Sequence, residues 1–132
     1  MKLDMDCVRD ILLACEKSDP TFTPIMTEDI TNVYGKKWDA CCIKYTVAKM
    51  SEGGLIKATI LNDECPIDQQ EVAVFSITWN GHQFLEQIRD DNRWSGVKTA
   101  LSSIRNYSLS AISSIAEGMT SAAISAYFSG LK

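Results

Sequence analysis

Two short apolar runs joined by a polar loop constrain the fold of this chain most strongly. Residues 55–61 and 71–77 are rich in β-branched and aromatic side chains, which is typical of strands. The segment between them is polar and contains Pro66, which a central strand does not tolerate. The sequence therefore predicts two strands joined by a loop, with helical segments before and after them.

The flanking segments have the apolar periodicity and the end signals of helices. Thr27, Thr78 and Ser108 are predicted N-caps, because their hydroxyl oxygens can accept backbone N–H groups. Before the strands we predict helices from residue 4 or 6 to residue 17, over residues 28–34 and over residues 37–52. After the strands we predict a helix that Thr78 caps and that ends near residues 90–91, then helices over residues 95–105 and 108–129.

Three helices followed by a two-stranded wing is the plan of a winged helix-turn-helix. We therefore predict a mainly α protein with a two-stranded wing (α+β). Residues 1–94 would form the winged helix-turn-helix core, and residues 95–132 a C-terminal helical extension. Two junctions favour this plan: Gly53-Gly54 lead from the third helix into a strand, and Gly81 lies where a neighbour can pack closely.

Three stretches carry a family resemblance: residues 1–13, residues 45–56 and residues 77–94. They resemble the domain-of-unknown-function 2513 family, winged-helix proteins of bacteria that are often encoded in prophages. The resemblance covers roughly residues 1–95, and it departs from the family pattern at Thr46 and Lys49, where histidine and leucine are common. It implies a winged-helix fold and a phage or prophage setting, and it implies no activity.

The cysteines and histidine argue against a metal site and against secretion. The five cysteines are odd in number and form no CxxC pair, and His82 is the single histidine. We expect free thiols that act as small core residues, no metal, no cofactor and a cytoplasmic location. No signal peptide and no membrane-spanning run are evident. No hydrolase, phosphate-binding or metalloprotease motif is present, so we expect no enzyme activity.

The net charge of −4 opposes non-specific binding to nucleic acid, but a local basic patch can still bind it. On the third helix and just before it, Lys36, Lys37 and Lys44 are the candidate residues for contacts with duplex DNA. The alternative is that they are ordinary solvated lysines. If these lysines bind DNA, we expect the protein to be a transcription regulator.

Two other features suggest a protein partner, for instance a host protein that a phage protein inhibits. On the third helix, Ile43, Val47 and Met50 share one face, which is the predicted core face. A second apolar stripe on this helix must be covered by the same chain, a second subunit or another protein, and it is formed by Trp38, Cys42 and Tyr45, with Cys41. The wing carries Asp63, Glu64 and Asp68 and no lysine or arginine between residues 62 and 71. The wing is either a solvated loop or an acidic contact for a basic partner.

The last predicted helix has one acidic residue, Glu117, among many serines and small residues. Its apolar residues recur at helical spacing, and Gly118 and Ala122 would permit a close helix approach. We expect either a homodimer through the C-terminal helices or packing on the same domain.

Overall fold

The structure is a computed structural model that describes residues 1–18, 23–66 and 69–130. It divides the chain into two compact units, Met1–Leu85 and Glu86–Lys132. The described residues form six α-helices and three strands. The prediction of a mainly α protein with a small β component (α+β) is confirmed at this level.

The first unit contains three helices, a sheet and the start of a fourth helix. Its elements are α1 (Met5–Lys17), β1 (Ile25–Met26), α2 (Thr27–Tyr34), α3 (Ala40–Glu52), β2 (Ile56–Ile60), β3 (Val72–Ile77) and α4 (Trp79–Ile88), which continues into the second unit. The second unit contains α5 (Asp91–Ile104) and α6 (Leu109–Ser129).

The sheet is antiparallel, with the strand order β1-β3-β2. Ile56 pairs with Ile77 and Ile60 with Val72, and the register shifts between Lys57 and Ala58. The predicted strand pair is confirmed, but the sheet has a third strand. Strand β1 is two residues long, too short for alternating hydrophobicity to reveal it.

The core of the first unit lies between α1, α3 and the sheet. The predicted core face of α3 is confirmed, because Ile43, Val47 and Met50 are all buried. Burial of these apolar side chains is the main stabilising term of the unit. Helix α1 contributes its apolar face, which consists of Cys7, Val8, Ile11, Leu12 and Cys15. Strand β3 contributes three adjacent buried residues, Val72, Ala73 and Val74.

The starts of two helices differ from the sequence-based prediction. Helix α3 starts at Ala40 rather than at residue 37, because the Asp39 carboxylate accepts the N–H of Cys42 at 2.8 Å and caps the helix there. Helix α5 starts at Asp91 rather than at residue 95, because Asp90 caps it in the same way. In both cases an aspartate cap fixes where the helix begins.

Thr27 was predicted to be the N-cap of α2, but it makes a buried tertiary contact instead. Its hydroxyl donates to the Glu71 carboxylate at 3.2 Å and accepts the N–H of Val72 at 3.4 Å. At the start of α2, the Asp29 carboxylate instead accepts the N–H of Met26 at 3.0 Å. The hydroxyl of Thr27 therefore joins α2 to the strand β3.

The junction between β3 and α4 confirms the predicted roles of Thr78 and Gly81. The Thr78 hydroxyl accepts the N–H of Gly81 at 3.0 Å and donates to the carbonyl oxygen of Gly54. A Cβ atom on Gly81 would overlap the carbonyl oxygen of Leu55 and lie 2.7 Å from Cγ2 of Ile77. Only glycine fits this approach of α4 to the α3–β2 turn without a backbone shift.

The second unit is a helix pair. Ser108 caps α6 as predicted, since its hydroxyl accepts the N–H of Ala111 at 3.1 Å. The Arg93 guanidinium on α5 donates to the carbonyl oxygen of Ala116 at 3.1 Å and to the Thr120 hydroxyl on α6. Residues 121–129 of α6 are all exposed.

Candidate functional site

The three lysines predicted to contact DNA lie in different environments. Lys36 and Lys37 lie in the turn before α3 and are exposed, whereas Lys44 lies within α3 and is half-buried. Lys37 Nζ forms an ion pair with Asp10 Oδ2 at 2.8 Å. This hydrogen bond and the charge of Asp10 raise the pKa of Lys37, so its ammonium charge is already matched within the chain.

Asp10 on α1 fixes the turn that precedes α3, although it was not among the predicted site residues. Its Oδ2 atom also accepts the indole N–H of Trp38 at 2.9 Å, and Lys37 Nζ lies 5.5 Å from the centroid of the Trp38 ring. Asp10 is buried among the apolar residues of α1. An aspartate close to the buried face of an amphipathic helix was the available signal, because buried carboxylates are normally paired.

The apolar stripe of Trp38, Cys42 and Tyr45 is half-buried rather than open. Helix α1 covers part of it through Asp10, which binds Trp38, and through the buried Cys7, which lies close to Cys42 and Thr46. Burial is the main reason that the pKa of the Cys7 thiol rises to about 12. Part of the covering surface therefore comes from the same chain. Cys41, also in this stripe, is half-buried as well.

The loop after β2 presents carboxylates to solvent. Asp63 and Glu64 are exposed, and neither carboxylate has a bonded partner among the described residues. Asn62 fixes the base of the loop, because its amide donates to the carbonyl oxygen of Gln69 at 2.7 Å and accepts the N–H of Glu71 at 2.8 Å. The third predicted residue of this surface, Asp68, lies outside the described residues.

A groove with a volume of about 450 Å³ lies between α3 and β2, next to this loop. No local sequence pattern indicates this groove, because it depends on how the end of α3 packs beside the edge strand β2. The Ser51 hydroxyl donates to the carbonyl oxygen of Ala58 at 3.5 Å across its base. The groove is lined by Ala48, Ser51, Glu52, Ala58, Thr59, Ile60, Asp63 and Val72.

The described part of the chain offers few residues for the other kinds of functional site, such as a metal site. Residues 1–18, 23–66 and 69–130 contain no group of three or more histidine, cysteine, aspartate or glutamate side chains that could hold a metal ion. Cys7, Cys15, Cys41, Cys42 and Cys65 are free thiols. Within the same residues, no helix has the length and apolar character that a membrane span requires.

Comparison with known proteins assigns the chain to a class and then to a family. The fold is that of a small, mainly helical α+β protein. The family model described as "Hypothetical protein (DUF2513)" matches residues 2–107, and the chain belongs to this family. The resemblance inferred from the sequence is thereby confirmed, and the match extends through α5.

A relative in Haemophilus influenzae, described as "Uncharacterized protein", is 28% identical over 122 residues. The alignment covers 92% of this chain and 97% of the relative. The two proteins are therefore similar over nearly their whole lengths. No solved structure matches the chain.

Proposed function

We propose that this protein is a non-enzymatic regulatory module that binds another protein through the acidic loop between β2 and β3. The observation that carries the proposal is the pair of exposed carboxylates of Asp63 and Glu64 on that loop, neither of which has a bonded partner among the described residues. Asp68 continues the same acidic segment in the sequence. A surface of this charge favours a partner with a basic surface.

We further propose that the first unit is a winged helix in which this loop is the wing. Three helices precede the β2–β3 ladder, as in the winged helix-turn-helix plan, and this element order supports the assignment. A wing that contacts a DNA backbone normally offers positive charge. Two like charges about 6 Å apart in water repel each other by about 0.7 kcal/mol, so each carboxylate near a phosphate would weaken DNA binding.

DNA binding through Lys36, Lys37 and Lys44 is the second candidate function. The exposed position of Lys36 favours it, since this side chain forms no ion pair among the described residues and lies just before α3. The ion pair between Lys37 and Asp10 counts against it, because a phosphate would have to compete with a carboxylate already in place. The protein-binding function therefore has the stronger support.

The proposed phage or prophage context of this protein rests on the family resemblance alone. A phage or prophage protein of this kind would act inside the bacterial cytoplasm on a host protein, and an inhibitor of a host enzyme that acts on nucleic acid fits that class. We also propose that the protein acts as a homodimer, because residues 121–129 of α6 are exposed and carry no charged side chain.

Cross-linking in cells with three matched baits tests the proposed function. The baits are the wild type, the variant Asp63→Asn with Glu64→Gln, and a control with Glu28→Gln and Glu117→Gln, which removes two negative charges elsewhere. We expect the wild type and the control to cross-link to the same protein, and the loop variant to lose it. Equal cross-linking by all three baits would contradict a role for the acidic loop.

A further inference from the structure

The groove between α3 and β2 combines an apolar floor with an acidic rim. Ala48 on α3 and Ala58, Ile60 and Val72 of the sheet supply apolar surface. Glu52 at the end of α3 and Asp63 on the loop add two acidic residues from two different elements of the lining. Such a groove suits a ligand that has an apolar stem and a cationic head.

The two rim carboxylates are both available to a ligand. The Asp63 side chain has no bonded partner among the described residues. Glu52 forms an ion pair with Lys49 at 2.8 Å, but both side chains are largely exposed, and exposed pairs of this kind contribute less than about 1 kcal/mol. A cation in the groove can therefore displace Lys49 at little cost.

We propose that this groove binds an arginine side chain of the partner protein, an inference that rests on the proposed protein-binding function. The arginine stem would pack on Ala48, Ala58 and Ile60, and its guanidinium would bind the carboxylates of Glu52 and Asp63. Arginine fits better than lysine because its planar fork donates several N–H groups and can bind two carboxylates at once. The groove would thereby recognise one specific arginine of the partner protein, next to the acidic loop.

Two other ligand classes fit the groove less well. An anion such as a phosphate would meet two carboxylates and no cation other than the already paired Lys49. A purely apolar ligand would leave those carboxylates partly desolvated and without a hydrogen-bond donor, which carries an energetic cost. The charge of the rim therefore selects a cation, and the apolar floor selects one that has a hydrocarbon stem.

A titration with two capped pentapeptides, followed by the backbone amide signals of the labelled full-length protein, tests the inference. One peptide carries a central arginine and the other a central citrulline, which has nearly the same shape without the charge. We expect the arginine peptide to shift the amides of Ala48, Ser51, Ala58 and Thr59 in a saturable manner. We expect the citrulline peptide to bind at least about tenfold more weakly, since a charge-assisted hydrogen bond contributes that much.

Three variants locate the binding. Glu52→Gln with Asp63→Asn should weaken arginine-peptide binding at least about tenfold, because both carboxylates are lost. Ala48→Leu should weaken it similarly by filling the floor without any change of charge. Glu28→Gln with Glu117→Gln should bind as the wild type does. Each variant must retain the dispersed amide spectrum of the folded protein.

The inference is overturned if the groove amides do not shift, if the citrulline peptide binds equally well, or if the groove variants bind as the wild type does. This failure is distinguishable from failure of the proposed function. Cross-linking that still depends on Asp63 and Glu64, without any arginine site in the groove, leaves the acidic-loop function in place. If that dependence is also absent, both proposals are wrong.

Discussion

The side-chain nitrogen of Lys37 lies 2.8 Å from Oδ2 of Asp10, so the turn before α3 is joined to α1 by an ion pair. The same carboxylate oxygen accepts the indole N–H of Trp38 at 2.9 Å. Asp10 is only 8% exposed, which places this carboxylate among the buried groups that need partners. One aspartate thus positions the turn and also neutralises a lysine predicted to bind DNA.

Replacement of Asp10 should reveal how its two partners contribute to stability. Asp10→Ala leaves the Trp38 indole N–H without its acceptor, and we expect a loss of about 1.5–3 kcal/mol in the free energy of unfolding. Lys37→Gln should cost less than about 1 kcal/mol, because the side chain of Lys37 is 57% exposed and solvent screens the pair. Urea unfolding measures both, with Lys36→Gln as a neutral control. Equal losses for Asp10→Ala and Lys36→Gln would contradict the role given to Asp10.

Two glycines should respond to alanine in opposite directions. At Gly81 the new Cβ would overlap the Leu55 carbonyl oxygen, which is backbone and cannot rotate away, so we expect a loss of about 3 kcal/mol or more. At Gly118 no atom lies within 4 Å of the new Cβ, and alanine should stabilise α6 by about 0.5–1 kcal/mol. Thermal unfolding at low protein concentration compares the two while self-association is minimal. A neutral Gly81→Ala would show that α4 does not approach Leu55 this closely.

The buried thiol of Cys15 should make folding stability fall at alkaline pH. Burial raises its pKa from 9.0 to about 12, so above pH 9 the unfolded chain loses this proton while the folded chain keeps it. Stability contributed in this way is fully present below pH 9 and is lost as the pH rises towards 12, by about 1.4 kcal/mol per pH unit for one thiol. Cys15→Ala should therefore show a shallower decline in urea unfolding experiments from pH 9 upwards. Parallel declines in both proteins would mean that the Cys15 thiol ionises normally.

The exposed end of α6 should mediate the predicted homodimer. Tyr127 and Phe128 are 66% and 59% exposed, and their rings form an edge-on pair with centroids 5.5 Å apart. We expect a dimer in light scattering for the wild type and a monomer for Tyr127→Ser with Phe128→Ser. Val33→Ser removes an apolar side chain that is 72% exposed in the first unit and should leave the dimer intact. A monomeric wild type at high concentration would contradict the prediction.

Local signals in the sequence were sufficient for most elements and for several of their ends. The strand pair, the core face of α3 and the caps at Thr78 and Ser108 each depend on a few neighbouring residues, and the structure has them. Strand β1 exists because of its ladder to β3, which no local pattern encodes. For the same reason, Thr27 resembles an N-cap in sequence but binds Glu71 instead.

The candidate site was less predictable because it depends on contacts between distant segments. Asp10 and Trp38 are 28 residues apart, and nothing near either residue indicates their hydrogen bond. The groove likewise arises where the end of α3 packs beside β2, so that Glu52 and Asp63 line one cavity. The acidic character of the loop was evident from composition alone, whereas the groove beside it required the structure.

Fluorescence anisotropy with labelled duplex DNA over a salt series tests most directly whether the protein binds protein rather than DNA. We expect no saturable binding at about 50 mM salt, because Lys37 is paired with Asp10 and the loop is acidic. Contacts by Lys36, Lys37 and Lys44 in both subunits of a dimer would instead give a slope of about −5 for the logarithm of the binding constant against the logarithm of salt concentration. Saturable binding with such a slope, reduced by Lys36→Gln with Lys44→Gln, would contradict the protein-binding function and establish the DNA-binding one.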